Sequence, residues 1–379
     1  MNYISISTLL CSASKYYLLT SLQGLDSFPS DISSTMIITW QPESNYLALL
    51  GGLLVGGVAV TRLASFGKVT GISGMLNGAS TYKSKGSSAS DAMERLYRVV
   101  FVLGIAKGGS VCYKLLPSAF MDWNHLPMQR VLLGGFLVGL GTSIGNGCTS
   151  GHGVCGISSM RVRSITATMA FMATGAFTAV ATNTAALYPP FVNKNDMDMS
   201  LKTFAAGSAS CALIYISGLF VKGYNNNAIK MSFNFAAEFL MGCTFAAGMA
   251  VSNMSMNSAT ISFLDVRTWN PALMFVMGGA IGLSAPLFYF IKSRGVPNVA
   301  DKFDLPSSQI IDLPLLLGSA IFGVGWGYVG VCPGPALTNL FNIKSGSLPL
   351  YFILSMIGGF WTKEIMYDAM SLVGNKKVK

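Results

Sequence analysis

Between residues 145 and 156 the chain reads GNGCTSGHGVCG, so that Cys148, His152 and Cys155 are strung together by glycines. Such residues serve metal ligation, thiol redox chemistry, or contact with a substrate inside a membrane. Spacing separates these. Zinc sites pair cysteines two to four residues apart and need two further ligands, and dithiol redox sites favour Cys-x-x-Cys. Cys148 and Cys155 fit neither, and His125 and His152 are the only imidazoles in the chain. No metal and no cofactor are expected. A second thiol, Cys332, stands in a comparable setting, GVCPGPALTN.

Around these thiols lie groups suited to an anion. Asn146, Thr149 and Ser150 carry side-chain donors, while Gly147 and Gly334 let backbone N–H groups approach a ligand. A short helix starting there would add unpaired N–H groups and a partial positive charge, which attract anions. His152 either holds a loop carbonyl or hands a proton to a ligand. Cys155 has no matched partner, and Cys243 lies in FLMGCTFAAGMAVS (239–252). Cys112 and Cys211 fall mid-span and read as packing residues. Lys107 and Glu238 also fall within apolar runs, where a charge needs a partner or a cavity. They either pair with each other or snorkel to the interface, or Lys107 serves to attract an anion. Arg161 and Arg163 are expected to anchor the chain at the membrane surface.

The elements that position these residues follow from composition. Of 379 residues, 51% are hydrophobic and 11% charged, less than half the charge of a soluble domain. The apolar residues come in runs of about 20, which predicts an all-α polytopic membrane protein. The net charge of +10 fits basic loops on one face of a membrane. Nucleic-acid binding is excluded, because no basic run is interleaved with aromatics. Seven cysteines, an odd number lying mostly in apolar or glycine-rich segments, exclude a disulfide scaffold.

Nine segments are expected to span: about 46–65, 94–116, 128–145, 161–188, 201–221, 233–252, 271–292, 312–331 and 348–370. Residues 1–45 read as a polar, disordered extension without the pattern of a signal peptide. Residues 46–372 form the membrane domain, in halves of about 46–190 and 200–372, and 373–379 form a basic cytoplasmic tail. Between the spans, fifteen Lys and Arg fall on one side and seven on the other. This predicts an outside N-terminus and a cytosolic C-terminus.

The chain also repeats itself. GGLLVG (51–56) recurs as GGFLVG (134–139), and GISGM (71–75) as GISSM (156–160). Gly134, Gly139, Gly141 and Cys148 recur at a constant offset as Gly318, Gly323, Gly325 and Cys332. With the expected orientation the halves are inverted, related by a pseudo-two-fold axis in the membrane plane, as in transporters whose site lies between the repeats. The glycine-rich segments after the repeated spans are too polar to cross. Irregular backbone at that depth must line a cavity or be buried in protein, so short re-entrant helices are expected.

GNGCTSGHGVCGIS and FGVGWGYVGVCPGPALTNL, with KVTGISGML and SATISFLDVRTWNPALMFVMGGA, resemble the conserved blocks of the YeeE/YedE family of sulfur transport proteins. The resemblance covers about residues 46–372. It implies an hourglass of nine spans with short re-entrant helices, and uptake of thiosulfate through S–H···S contacts with cysteines along a narrow path. The matching thiols are Cys148 and Cys332, with Cys243 as an additional member. The chain departs from a three-thiol path in having no cysteine between residues 46 and 93. The resemblance further implies a cytosolic sulfur-carrier protein as partner, and a plasma or inner membrane. The sequence leaves open other cargoes (sulfite, sulfide, polysulfide or a selenium compound). It also leaves open a membrane thiol oxidoreductase or sulfurtransferase acting through Cys148 and Cys155.

Overall fold

The structure is a computed structural model and describes residues 39–80, 89–121, 123–224, 226–306 and 308–376. Most of the expected polar extension, the residues 81–88 that include Lys83 and Lys85, and the last three residues of the basic tail lie outside the described residues.

The chain is helical. In order come α1 (Pro42–Phe66), α2 (Ile72–Ser80), α3 (Ala89–Leu115), α4 (Met128–Ile144), a π-helical segment (Thr149–Gly156) and α5 (Val162–Ala181). There follow α6 (Met197–Val221), α7 (Asn227–Val251), α8 (Asn257–Leu264), α9 (Ala272–Ser293), α10 (Leu313–Val329), α11 (Pro333–Thr338) and α12 (Leu348–Lys376). The starts are encoded locally. Pro42 and Pro333 occupy first turns, where a missing N–H costs nothing. Asp196, Asn226 and Asp312 cap α6, α7 and α10 by accepting from Met199 N, Ala228 N and Leu315 N. The first helix starts at Pro42, inside the segment expected to be disordered.

Each of the nine expected spans holds a helix, but fewer meet the demands of a bilayer. Among the described residues α1, α3, α5, α6, α7 and α9 are long and apolar enough to cross, and α4 with the π segment, bent by 42°, gives at most a seventh. The shortfall has a physical basis. Helix α10 is apolar but only 17 residues long, and the apolar run of α12 is cut by Lys363 and Glu364. The protein is thus a multi-pass, all-α integral membrane protein.

Four times a long helix is followed by a short one and then another long helix: α1–α2–α3, α4–π–α5, α7–α8–α9 and α10–α11–α12. Each leading helix gives way to a left-handed residue, respectively Gly67 (φ 67°), Asn146 (φ 57°), Asn253 (φ 58°) and Gly330 (φ 67°). Only glycine, and less readily asparagine, takes this conformation cheaply. The packing partners obey the same grouping. Helix α1 packs on α9 and α7, and α3 on α7; α4 packs on α12 and α10, and α5 on α10.

These seams are closed by glycine. A Cβ on Gly318 would lie 2.2 Å from Gly145 N, and one on Gly141 would lie 2.2 Å from Phe322 N. Lipid tails supply no hydrophobic drive for helix pairing, so close van der Waals approach between small residues must do so. The α5–α10 seam is instead filled by Phe171, Phe322 and Trp326, with ring centroids 5.1–6.0 Å apart.

Candidate functional site

The stretch GNGCTSGHGVCG is built outward from the end of α4. Asn146 turns the chain through its left-handed conformation, and Cys148 then takes an extended one (φ −124°, ψ −167°) at the start of the π segment. π-helical turns concentrate at functional positions. His152 locks the loop: Nε2 lies 3.1 Å from Gly145 O and Nδ1 3.1 Å from Ser164 Oγ on α5. A carbonyl can only accept, so Nε2 carries the proton, and in the neutral ring Nδ1 accepts from Ser164. The ring passes over Gly147, where a Cβ would meet it at 2.7 Å. His152 therefore ties the loop to α5, and both its nitrogens are engaged.

The thiols meet around this loop. Cys148, 1% exposed, lies 3.3 Å from Ser150 Oγ. Ser150 in turn accepts from Ile72 N at the start of α2. Thr149 Oγ1 lies 3.9 Å from Cys332 Sγ and donates to it, which leaves the Cys332 S–H unspent. Cys332 repeats the backbone of Cys148. It too is extended (φ −95°, ψ 159°), caps a short helix, and follows a left-handed residue two positions earlier. Cys148 is within electrostatic reach of both Cys332 and Cys155. Cys155, also 1% exposed, donates its proton to Thr70 O at 3.3 Å. Before α2, Gly71 packs on Gly151 of the π segment.

Side chains from elsewhere anchor the second loop. Thr184, Arg130 and Tyr188 donate to the last carbonyls of α10, at Gly327 (2.9 Å), Tyr328 (2.7 Å) and Val329 (2.5 Å). Beyond Cys332, Asn339 Nδ2 donates to Ser255 O at 2.8 Å. Gly334 is buried under the ring of Phe245.

Beside the first loop lies a cavity of about 560 Å³. Asn146, Gly147, His152 and Cys155 form part of its wall, together with five cations (Arg62, Lys68, Arg98, Arg161, Arg163) and two carboxylates, Glu94 and Asp304. Arg161 and Arg163, expected as surface anchors, thus face this space. Arg163 is held by Asp312 at 3.1 Å and by the Ile310 carbonyl. Partial burial lowers the pKa of Arg161, which still leaves it a cation at neutral pH.

The sequence reading missed Arg62. It lies within GGLLVGGVAVTRLASF, mid-run and therefore detectable. Its guanidinium pairs with Glu238 on α7 (Nε–Oε1 3.1 Å, Nη2–Oε1 3.1 Å), with side-chain exposures of 3% and 5%. Its Nη1 donates to Val69 O, 2.5 Å away, fixing the loop that leads into α2. The expected pairing of Glu238 with Lys107 does not occur. Lys107 is exposed on α3 and is not in the cavity wall. Cys243 has other neighbours. It packs on Gly108 in the α3–α7 seam, near Cys112.

Residues 3–178 match a family described as sulphur transport, and residues 233–372 match a family of unknown function, DUF6691. The first match starts well ahead of residue 46, where the sequence resemblance was expected to begin. A probable transporter of Xylella fastidiosa (strain 9a5c) is 36% identical over 135 residues, 35% of this chain and 90% of the relative. One from strain Temecula1 is 39% identical over 127 residues, 33% of this chain and 84% of the relative. Each relative is thus less than half as long as this chain. No solved structure matches. The family and these relatives are described as transporters, not enzymes.

Proposed function

Since the chain belongs to the YeeE/YedE-like sulphur transport family, we propose that it carries thiosulfate, handed between Cys148 and Cys332 by thiol–sulfur hydrogen bonds. The observation carrying this reading is the bridge between the two loops, in which Thr149 reaches Cys332 Sγ at 3.9 Å while Cys148 sits one residue away. Thiosulfate is a dianion with a soft terminal sulfur and hard sulfonate oxygens. A thiol is a weak donor suited to that sulfur, and weak binding suits conduction because the ion must also leave.

The basic cavity then serves as one cup of the hourglass, gathering the anion beside the thiols. Four of its five cations (Lys68, Arg98, Arg161 and Arg163) belong to the face with the excess of Lys and Arg, which supports an outside N-terminus, a cytosolic C-terminus and a cavity on the cytosolic side of a plasma or inner membrane. There a sulfur-carrier protein would collect the cargo. Cys155 belongs to the approach rather than to the handover, since its proton is engaged by Thr70.

The test is uptake of labelled thiosulfate by cells lacking another route, with Cys148→Ala and Cys332→Ala alongside. Each substitution is expected to lower uptake by about tenfold or more, a loss of roughly 1.4 kcal/mol of barrier stabilisation. Undiminished uptake in both variants sinks the thiol role. Competition by sulfite, sulfide, polysulfide and selenium analogues identifies the preferred cargo.

A further inference from the structure

The Arg62–Glu238 pair has two unlike faces. Arg62 borders the basic cavity; Glu238 does not, and borders instead a second cavity of about 140 Å³ with Lys68, Tyr97, Lys230 and Asn234. That smaller cavity has room for several waters. Asn234 Oδ1 is buried with no protein partner. The carboxylate is thus reached from one space and the guanidinium from the other, with Lys68 bordering both.

The surrounding charges leave Glu238 as the group that sets the charge of Arg62. After α1 stands Lys68, in contact with Glu94 of α3. Glu94 also accepts from Arg98 at 3.3 Å, so it is already shared by two cations. On α7 itself the nearby charge is Lys230. Asp304, from the segment joining α9 to α10, is bridged by its backbone to Lys68. Helix α9, packed on α1, carries Lys292, which bonds Ser159. The charges at the start of α6, Asp198 and Lys202, pair with each other. Glu238 is therefore the carboxylate that Arg62 contacts directly, while Glu94, held by Lys68 and Arg98, acts on it at longer range.

We propose that Glu238 is a proton site coupled to anion binding in the basic cavity. A proton arriving through the smaller cavity neutralises the Glu238 carboxylate, and no other bond is made or broken. Arg62 is then a buried guanidinium without the carboxylate it contacts, an expensive state. With Glu94 shared by Lys68 and Arg98, an anion entering the cavity that Arg62 borders restores the lost charge. Proton and anion therefore bind together and leave together, and by linkage each raises the affinity for the other equally. The sign follows: anion affinity rises as pH falls through the titration of Glu238. This gives uptake a coupling ion, and it rests on the reading that the cavity takes a sulfur oxyanion.

The experiment is calorimetric titration of thiosulfate into the purified full-length protein in lipid nanodiscs, between about pH 5.5 and 8. Buffers of different ionisation enthalpy count the protons taken up. The expected result is uptake of about one proton per anion where Glu238 titrates, with affinity falling about tenfold or more towards high pH. In Glu238→Gln the affinity should stay at its low-pH value, with no proton uptake. The proton count on the unsubstituted protein needs no variant to fold. Binding with pH-independent affinity and no proton uptake overturns the coupling while leaving thiosulfate as the cargo. Proton uptake that survives Glu238→Gln but vanishes in Glu94→Gln moves the site and overturns the assignment. Absence of thiosulfate binding at every pH overturns the cargo reading and the coupling together.

Discussion

The two cysteine loops share one backbone and differ in everything around it. Asn146 and Gly330 are both left-handed, and Cys148 and Cys332 are both extended residues opening a short helix. The first loop secures itself with its own His152, is rich in hydroxyls and borders a basic cavity. The second is held by Thr184, Arg130 and Tyr188 from distant segments, and its short helix is wholly buried between prolines. The shared backbone places two thiols alike, while their surroundings differ in charge and burial. A repeated turn can thus present the same side chain twice without making its two settings equal.

Substitutions can break or sharpen that contrast. The largest effect is expected where the loops' parent helices cross. Gly318→Leu would drive a side chain into backbone at Gly145 and Gly141. The cost should be about 3 kcal/mol or more, seen as loss of a monodisperse peak in size-exclusion chromatography. A well-folded Gly318→Leu would show that the crossing is not tight.

Next, His152→Leu strands the Gly145 carbonyl and the Ser164 hydroxyl. A loss of about 1–3 kcal/mol in thermal unfolding is expected, with the damage confined to the first loop. Thiol labelling by position should then show Cys148 and Cys155 more reactive and Cys332 unchanged. Equal exposure of all three would mean the loops do not hold themselves separately.

A smaller effect tests the shared backbone. Gly330→Ala places a Cβ on a left-handed residue and should cost about 1–2 kcal/mol. Asn146→Gly, at the equivalent position, should be neutral or slightly stabilising in the same thermal assay. The smallest effect belongs to the bridge. Thr149→Val removes the hydroxyl that reaches Cys332 but keeps the shape, and should change stability by less than about 1 kcal/mol. On the proposed function it should slow thiosulfate uptake more than it destabilises the protein, whereas equal losses would make the bridge merely structural.

Much of this was legible in the sequence. The helices follow from apolar runs punctuated by proline, glycine and capping residues, and the recurrence at Gly134/Gly318 through Cys148/Cys332 exposed the duplicated loop before any coordinates. Less legible were the number of true spans and the wall of the cavity. The length of α10 and the charges in α12 lower that number. The wall draws on residues from Arg62 to Ser308 that share no local pattern.

The sequence by itself determined what is local or periodic: apolar length, helix ends, and the repeated turn that ends in Cys148 and Cys332. It also determined that Arg62 and Glu238 must be paired or solvated, because a bare charge at that depth is too costly. Tertiary structure alone decided that they pair with each other across 176 residues, that Lys107 faces outward, and that Cys243 packs on Gly108. Those outcomes depend on which glycine faces let which helices approach. Such a choice is made between segments and is written in no single one of them.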